Sequence, residues 1–171
     1  MLNADELIKL LDLKPLPVEG GYFRQTYKSL KKILPDSLPE GYETERALST
    51  CIYYLLTSDR DSFSAIHKLP TEEIWHFYLG DPVEMLLLGS GKECRKIILG
   101  QDILSGEHVQ FVVPAGVWQG AKVVEGGRFA LLGTTMSPGF EPDDYTEGSR
   151  EELVKKYPEY SELITRLTRE E

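Results

Sequence analysis

Three side chains of this sequence have the types and the spacing that could do chemistry together: His67, Glu73 and Gln119. His67 and Glu73 lie on two segments with strand character that follow each other closely, and Gln119 lies on another such segment further along the chain. Side chains on different strands of a small barrel can converge in its interior. An imidazole, a carboxylate and an amide that share one cavity predict a site for a small molecule or a metal ion.

The simplest chemistry for this set is proton transfer by His67 and Glu73 without a metal. A carboxylate beside an imidazole raises the pKa of the imidazole and fixes its orientation. Such a pair is suited to removing a proton next to a carbonyl group. We predict that His67 is the base, that Glu73 orients it, and that Gln119 anchors the ligand by hydrogen bonds. The alternative is a buried pair with a purely structural role.

The alternation of side chains along a strand identifies further candidates beside Glu73. Trp75 and Phe77 share the face of Glu73, whereas His76 lies on the opposite face. If Glu73 points into the barrel, Trp75 and Phe77 line the same cavity and stack against the ligand. The alternative is that both rings are ordinary core residues.

Short strands must position these residues. The chain from residue 20 to residue 136 predicts nearly continuous β-structure, in which turns rich in glycine and proline separate the strands. The predicted strands cover residues 22–27, 47–56, 64–69, 73–79, 83–88, 95–99, 109–113, 121–124 and 128–136. Many short strands with regular turn signals are typical of a sandwich or a barrel.

The two ends of the chain and two long connections complete the predicted architecture. Asn3 and Glu6 form a capping-box pattern at the start of a short N-terminal helix, and Ser149 begins a helical C-terminal tail. Residues 30–46 are predicted as an excursion loop. Residues 138–148 are predicted as an acidic loop that serves as a lid at the barrel mouth.

Composition excludes several classes of function. The chain of 171 residues predicts one domain, residues 1–171, and its net charge of -9 argues against a nucleic-acid partner. No glycine-rich phosphate loop, no apolar run of about 20 residues and no basic signal sequence is present. The two cysteines, Cys51 and Cys94, do not form a CxxC motif. We therefore expect a cytoplasmic protein with neither a nucleic-acid nor a membrane partner.

Two motifs of the sequence resemble those of the cupins. His67, Glu73 and Gly80 match part of the first cupin motif, and Pro114 and Gly116 match part of the second. Further segments are similar to a branch of small single-domain cupins of unassigned function: E-G-G-Y-F-R-Q-T-Y-K-S, A-L-S-T-C-I-Y-Y-L-L, E-I-W-H-F-Y-L-G-D-P, V-P-A-G-V-W-Q and S-P-G-F, in this order. The resemblance implies an all-β jelly roll, a double-stranded β-helix, with helices only at the ends. It also implies a homodimer.

The chain departs from the cupin motifs at two metal ligands. Leu69 stands where the second histidine of the first motif belongs, and Gln119 replaces the histidine of the second motif. Strand alternation predicts that Leu69 shares the face of His67. The usual cupin set of three histidines and one glutamate is thereby reduced to His67, Glu73 and Gln119, and an amide is a weak ligand for zinc, manganese or iron. We therefore predict no cofactor. The alternative is a metal enzyme in which these three side chains and water hold a weakly bound divalent ion.

Metal-free cupins offer a parallel for the chemistry. The keto-sugar epimerases of nucleotide-sugar metabolism resemble this arrangement, with a histidine–carboxylate base and a tyrosine acid in a jelly-roll pocket. The parallel implies that Tyr53 or Tyr54 supplies the acid. Tyr53 is preferred, because Tyr54 shares its face with apolar residues. Arg24 is predicted to clamp an anionic group of the ligand, with a surface ion pair as the alternative.

The leading hypothesis is a cupin that binds a small polar or sugar-like ligand in its barrel and acts on it as an isomerase or epimerase. A binding module without catalysis is the second hypothesis.

Overall fold

The structure is a computed structural model that describes residues 2–39, 42–90 and 94–169. These residues form thirteen β-strands and three α-helices. The strands are β1 (Lys14–Pro15), β2 (Tyr22–Lys28), β3 (Lys32–Ile33), β4 (Arg46–Ala47), β5 (Thr50–Thr57), β6 (Ser64–Lys68), β7 (Glu73–Gly80), β8 (Val83–Leu88), β9 (Arg95–Leu99), β10 (Gln110–Val113), β11 (Trp118–Val123), β12 (Phe129–Met136) and β13 (Thr146–Glu147). The helices are α1 (Ala4–Leu10), α2 (Arg150–Lys156) and α3 (Ser161–Arg166).

Two antiparallel sheets form the body of the molecule. One sheet has the strand order β1-β2-β5-β12-β7-β10, and the other has the order β13-β6-β11-β8-β9. Strands far apart in the chain are neighbours, since β5 pairs with β12 and β6 pairs with β11. This arrangement is that of a jelly roll. The predicted all-β jelly roll, with one short N-terminal helix and helices at the C-terminus, is confirmed.

The core between the two sheets is apolar, because inward positions of both sheets carry large side chains. Strand β5 contributes Tyr54 and Leu56, and β8 contributes Met85 and Leu87, all of them buried in one cluster. Burial of one such aliphatic side chain contributes roughly 1.5–3 kcal/mol. This packing fixes the separation of the sheets, so that polar side chains placed between them have fixed partners.

The helices cover the outer faces of the sheets. Leu7 of α1 packs with Leu55 and Leu131 on the six-stranded sheet. Leu153 of α2 and Ile164 of α3 pack in a cluster with the five-stranded sheet. Each short helix is therefore held by tertiary packing of its apolar side and not by its intrinsic propensity.

The predicted helix caps are present. Asn3 and Glu6 form a complete capping box at α1. The side chain of Ser149 accepts a hydrogen bond from the backbone N–H of Glu152 at the start of α2. Across the described ranges, no helix combines the length and the hydropathy needed to cross a bilayer.

The predicted excursion loop contains some regular structure. Strand β3 lies within it and pairs with β4, which begins at the last residue of the loop, and residues Pro35–Ser37 form a 3₁₀ turn. Residues 40 and 41 of this loop lie outside the described residues. Pairing within the loop was not predicted, since two-residue strands leave no alternation to detect.

The two faces of β5 correct one prediction. Ile52, Tyr54 and Leu56 face the core between the sheets, whereas Tyr53 packs on the outer side in the cluster that contains Leu55. The preference for Tyr53 as the interior tyrosine is therefore wrong. The apolar character of the other face marked the barrel interior itself, because most of that interior is filled with hydrocarbon.

The loop between β1 and β2 makes a tight turn against the barrel. Val18, Gly20 and Gly21 have φ angles of 67°, 103° and 68°. A Cβ atom at Gly20 would lie 2.3 Å from the backbone oxygen of Phe63, so a side chain there requires the backbone to move. The Tyr54 hydroxyl donates to the Gly20 carbonyl at 3.0 Å and ties the loop to the core.

We expect the substitution Gly20→Ala to lower the free energy of unfolding by about 3 kcal/mol or more, because it combines an unfavourable φ with a backbone collision. Gly126→Ala is the matched control: Gly126 also has a positive φ, 81°, but a Cβ atom there meets open space. The control should cost about 1 kcal/mol. Urea unfolding of both variants checks this, and equal losses would contradict the tight fit of the loop.

Candidate functional site

The three side chains identified by the motifs converge between the sheets. His67 on β6 and Gln119 on β11 are register partners in the five-stranded sheet, and Glu73 begins β7 in the six-stranded sheet. His67 Nε2 lies 3.9 Å from Glu73 Oε2. All three residues are buried, with 2%, 1% and 7% of their surface exposed for His67, Gln119 and Glu73. The three residues that the motifs identify therefore meet in the fold.

The orientation of the Gln119 amide is set by Trp75. The indole Nε1–H of Trp75 donates to Gln119 Oε1 at 2.8 Å, and Gln119 Nε2 donates to Glu73 Oε2 at 2.7 Å. An indole N–H can only donate, so the amide oxygen must face Trp75 and the NH₂ group must face Glu73. Gln119 thus holds the carboxylate of Glu73 through its NH₂ group.

The predicted ligand stacking by Trp75 and Phe77 does not fit the structure. Both rings face the space between the sheets, as the strand alternation requires, but neither lines the cavity that His67 and Glu73 border. The hydrophobic core occupies the barrel at their depth. Trp75 acts instead through its hydrogen bond to Gln119.

His67 is held as a cation. Its Nδ1 donates to the carbonyl oxygen of Ala65 at 2.8 Å, because a carbonyl can only accept, and its ring stacks on Tyr145 with centroids 4.9 Å apart. Burial by itself lowers the pKa of His67, but the negative charges of Glu19 and Glu73 outweigh burial and raise that pKa to about 9. At neutral pH the ring is therefore an imidazolium.

Glu19 is a site residue that the sequence analysis did not assign. It lies in the loop before Gly20, lines the same cavity as His67, and accepts a hydrogen bond from the Ser64 hydroxyl at 2.8 Å. Glu19 is partly exposed as a whole residue, whereas its carboxyl group is desolvated. Burial raises the pKa of this carboxyl, and the charge of His67 partly opposes the rise. Its position directly before the Gly20-Gly21 pair indicates a turn but gives no sign of a role in the site.

Tyr145 is the second unassigned residue. It belongs to the predicted acidic loop and stacks on His67. Its hydroxyl is buried and has no hydrogen-bond partner among the described residues. Burial raises the pKa of this hydroxyl, so the group stays protonated. No feature of the sequence around Tyr145 distinguishes it from other tyrosines.

His67 and Glu73 border a cavity of about 420 Å³ at its floor. Gln119 does not line this cavity, because both polar atoms of its buried amide are bonded to Trp75 and Glu73, so the prediction that Gln119 anchors the ligand is wrong. Glu19, His67, Glu73 and Tyr145 border it with polar groups. Its walls are mostly apolar and are supplied by Leu16, Phe23, Ile52, Leu69, Met136 and Phe140. An apolar cavity with a few converging polar groups is typical of a small-molecule site. The predicted placement of Leu69 on the same side as His67 is confirmed, since both line the cavity.

The acidic loop borders this cavity, as a lid would. Phe140, Glu141 and Tyr145 of the loop line it. Lys28 of β2 reaches across to Glu141 with an Nζ–Oε1 distance of 2.5 Å, and both side chains are partly exposed. Strand β13 then pairs with β6, which places Glu147 opposite His67 in register.

The predicted anion clamp at Arg24 is also corrected. Phe23 and Gln25 on either side of it line the cavity, so strand alternation turns Arg24 outward. Its guanidinium is exposed and lies 5.8 Å from the ring centroid of Tyr53 on the outer face. A larger groove of about 830 Å³ lies outside the barrel and contains none of the converging groups.

The residues present do not fit a cupin metal centre. The oxygen of Gln119 is turned to Trp75, and its NH₂ group, which cannot bind a cation, faces Glu73. Leu69 brings hydrocarbon to the place of another ligand. In the part of the chain that the structure describes, no three histidine, cysteine, aspartate or glutamate side chains are arranged to hold a metal ion.

Comparisons with known proteins agree with this architecture. A Shewanella oneidensis protein of solved structure, SO0799, is 34% identical and superposes with a TM-score of 0.86 over 100% of both chains. A hypothetical protein from Leishmania major is 28% identical with a TM-score of 0.87, over 99% of this chain and 100% of its own. An uncharacterized protein of Saccharomyces cerevisiae, YML079W, is 29% identical over 80% of this chain and 71% of its own. Residues 5–147 match the family described as "Cupin superfamily (DUF985)". The chain therefore belongs to the cupin superfamily.

Proposed function

We propose that the protein binds a small, uncharged, sugar-like hydroxy-carbonyl compound in the barrel cavity and acts on it as a metal-free isomerase or epimerase. The observation that carries this proposal is geometric: the imidazole of His67 and the carboxylates of Glu19 and Glu73 border one largely apolar cavity. Two carboxylates against one imidazolium disfavour an anionic group at the floor. The hydroxyl and carbonyl oxygens of a neutral ligand fit this floor better, because they can hydrogen-bond to its charged groups without adding negative charge.

The pKa of His67 changes its proposed role from base to acid. A ring that is already protonated at neutral pH cannot accept a proton, but its Nε2–H can donate to the carbonyl oxygen of a ligand. Glu19 is the better base, because burial has raised the pKa of its carboxyl towards the working pH. Glu73, held by the amide of Gln119, keeps the imidazolium in place.

The proposed reaction consists of proton transfers and needs no cofactor. Glu19 removes the proton from the carbon next to the carbonyl, and the electron pair of that C–H bond forms the carbon–carbon double bond of an enol. His67 delivers its proton to the carbonyl oxygen. Return of a proton to the same carbon on its other face, with loss of the enol hydroxyl proton to His67, gives the epimer. Return of the proton to the former carbonyl carbon, with loss of the proton of the adjacent hydroxyl to His67, gives the isomer. The apolar walls keep water from the enol.

Two further parts of the proposal concern location and assembly. A cytoplasmic location is supported by two free cysteines, Cys51 and Cys94. A homodimer is supported by β10, which is an edge strand of the six-stranded sheet. Val112 in this strand and Val109 directly before it are exposed apolar residues.

We expect the wild-type protein to catalyse deuterium incorporation next to the carbonyl of a hydroxyketone in D₂O, measured as loss of the proton NMR signal. The probes are hydroxyacetone, dihydroxyacetone and uncharged ketohexoses. His67→Gln should slow the exchange by about 100-fold or more, since general acid catalysis contributes at least that much. The control His108→Gln, at an exposed histidine, should leave it unchanged. Probe binding without exchange would identify a binding module instead. The absence of both binding and exchange would contradict the proposal.

The protonation of His67 predicts a characteristic pH dependence. NMR titration of the ring should give a pKa of about 9, and Glu19→Gln should lower it, because one of the two compensating charges is lost. The folded protein binds the proton of His67 more tightly than the unfolded chain does, so protonation stabilises the fold. This stabilisation is complete below about pH 6.5, the pKa of an unfolded histidine, and it is lost as the pH rises through about 9. The melting temperature should therefore fall across that window in the wild type, and fall less in Glu19→Gln. The exposed-site control Glu151→Gln should behave as wild type, and a wild-type ring that titrates near 6.5 would contradict the site description.

Light scattering after size exclusion should give twice the monomer mass for the wild type. Val112→Lys on β10 should shift the protein towards monomer, since a lysine on an edge strand opposes pairing with another edge. A dimer that is unaffected by this change would place the interface elsewhere.

A further inference from the structure

The loop that presents Glu19 is strained and needs support from outside. Val18 has a φ of 67°, a left-handed conformation that is costly for a β-branched residue. Within the loop, Leu16 N–H donates to Gly21 O and Gly20 N–H donates to Leu16 O, each at 3.0 Å. These bonds close the loop, but they leave the carbonyl groups at its tip without partners inside it.

One side chain from the far end of the chain binds this tip. Arg169 Nε donates to the carbonyl oxygen of Val18 at 3.0 Å, and its Nη2 lies 3.5 Å from the carbonyl oxygen of Glu19 and 3.4 Å from that of Asp61. The guanidinium also lies 4.7 Å from the ring centroid of Phe63. The planar guanidinium holds its donors in one fixed fork and binds several carbonyl oxygens in a set geometry, whereas the three donors of a lysine rotate about a single nitrogen.

Arg169 has a firm base of its own. It follows α3. Ile164 of this helix and Leu167, directly after it, are buried against the outer face of the five-stranded sheet. The N–H of Ile66 on β6 donates to the carbonyl of Leu167 at 2.8 Å. The C-terminal segment is thus tied to β6, the strand that carries His67.

The loop tip is tied to the same strand. The N–H of Ala65 on β6 donates to the carbonyl of Glu19 at 2.8 Å. Arg169 therefore completes a closed set of contacts among the loop, β6 and the C-terminal segment. Arg169 itself does not line the cavity.

We propose that Arg169 is a positioning residue, which holds the loop tip in its strained conformation and so sets the carboxylate of Glu19 against His67. The inference rests on the proposed function for the role of Glu19 as base, and it assigns the C-terminal segment a part in the chemistry. A side chain with only a structural role would affect stability and leave the environment of His67 unchanged.

The test compares Arg169→Met with Arg166→Met in the full-length protein. Arg166 is the last residue of α3, three residues before Arg169, and forms a surface ion pair with Glu162. In Arg169→Met the pKa of His67, measured by NMR without any ligand, should fall by about 1, towards its value in Glu19→Gln. The exchange rate constant kcat should fall by about tenfold. Arg166→Met should change neither quantity.

An unchanged pKa of His67 in Arg169→Met, whatever happens to its melting temperature, would overturn the inference. If Arg169→Met does not fold, Arg169→Lys provides the same measurement, because a lysine keeps the charge but loses the planar fork. The pKa is read without a ligand, so the two proposals fail separately. A wild-type protein that exchanges no probe contradicts only the proposed function, and an active protein whose His67 does not respond to Arg169 contradicts only the positioning role.

Discussion

A buried cation between two carboxylates is the interaction on which the site depends. His67 is shielded from water, and a charge in that position persists only when opposite charges compensate for the lost hydration. Glu73 comes from one sheet, His67 from the other, and Glu19 from a loop. The compensation therefore exists only when the sheets and the loop are assembled, which makes the charge state of the imidazole a property of the complete fold.

Part of this arrangement was predictable from the sequence. The resemblance to the two cupin motifs implied that His67, Glu73 and Gln119 meet, although they are distant in the chain. Turn residues marked strands such as Val83–Leu88 at their correct bounds. Strand alternation also gave the correct side for Leu69. Such features depend on neighbours in the chain or on a regular period, and both are visible in one sequence.

The wrong predictions arose where the alternation of side chains along a strand identifies the face of a residue but not what packs against that face. Trp75 and Phe77 point inward as predicted, yet the depth at which the cavity ends is set by packing against the other sheet. For Tyr53 and Tyr54 the two faces were distinguished by hydrophobicity, although the barrel interior is itself largely hydrocarbon.

Glu19 and Tyr145 were not predictable for a different reason. Each is carried by a loop whose path is fixed by distant partners, such as the contact between Val18 and Arg169 or the pairing of β13 with β6. Long-range contacts of this kind leave no periodic trace in the sequence. The chemistry of the site is thus completed by the least regular parts of the fold, which the jelly roll only frames.

The indole of Trp75 gives this polar floor an element that acidity does not affect. Its N–H neither gains nor loses a proton in water, and it can only donate, so the amide of Gln119 keeps one orientation when its charged neighbours titrate. Changes of pH can therefore alter how many protons the floor carries without rearranging its hydrogen-bond directions. Because a group that does not titrate fixes these hydrogen bonds, the charge of the site can change while its hydrogen-bond geometry stays the same.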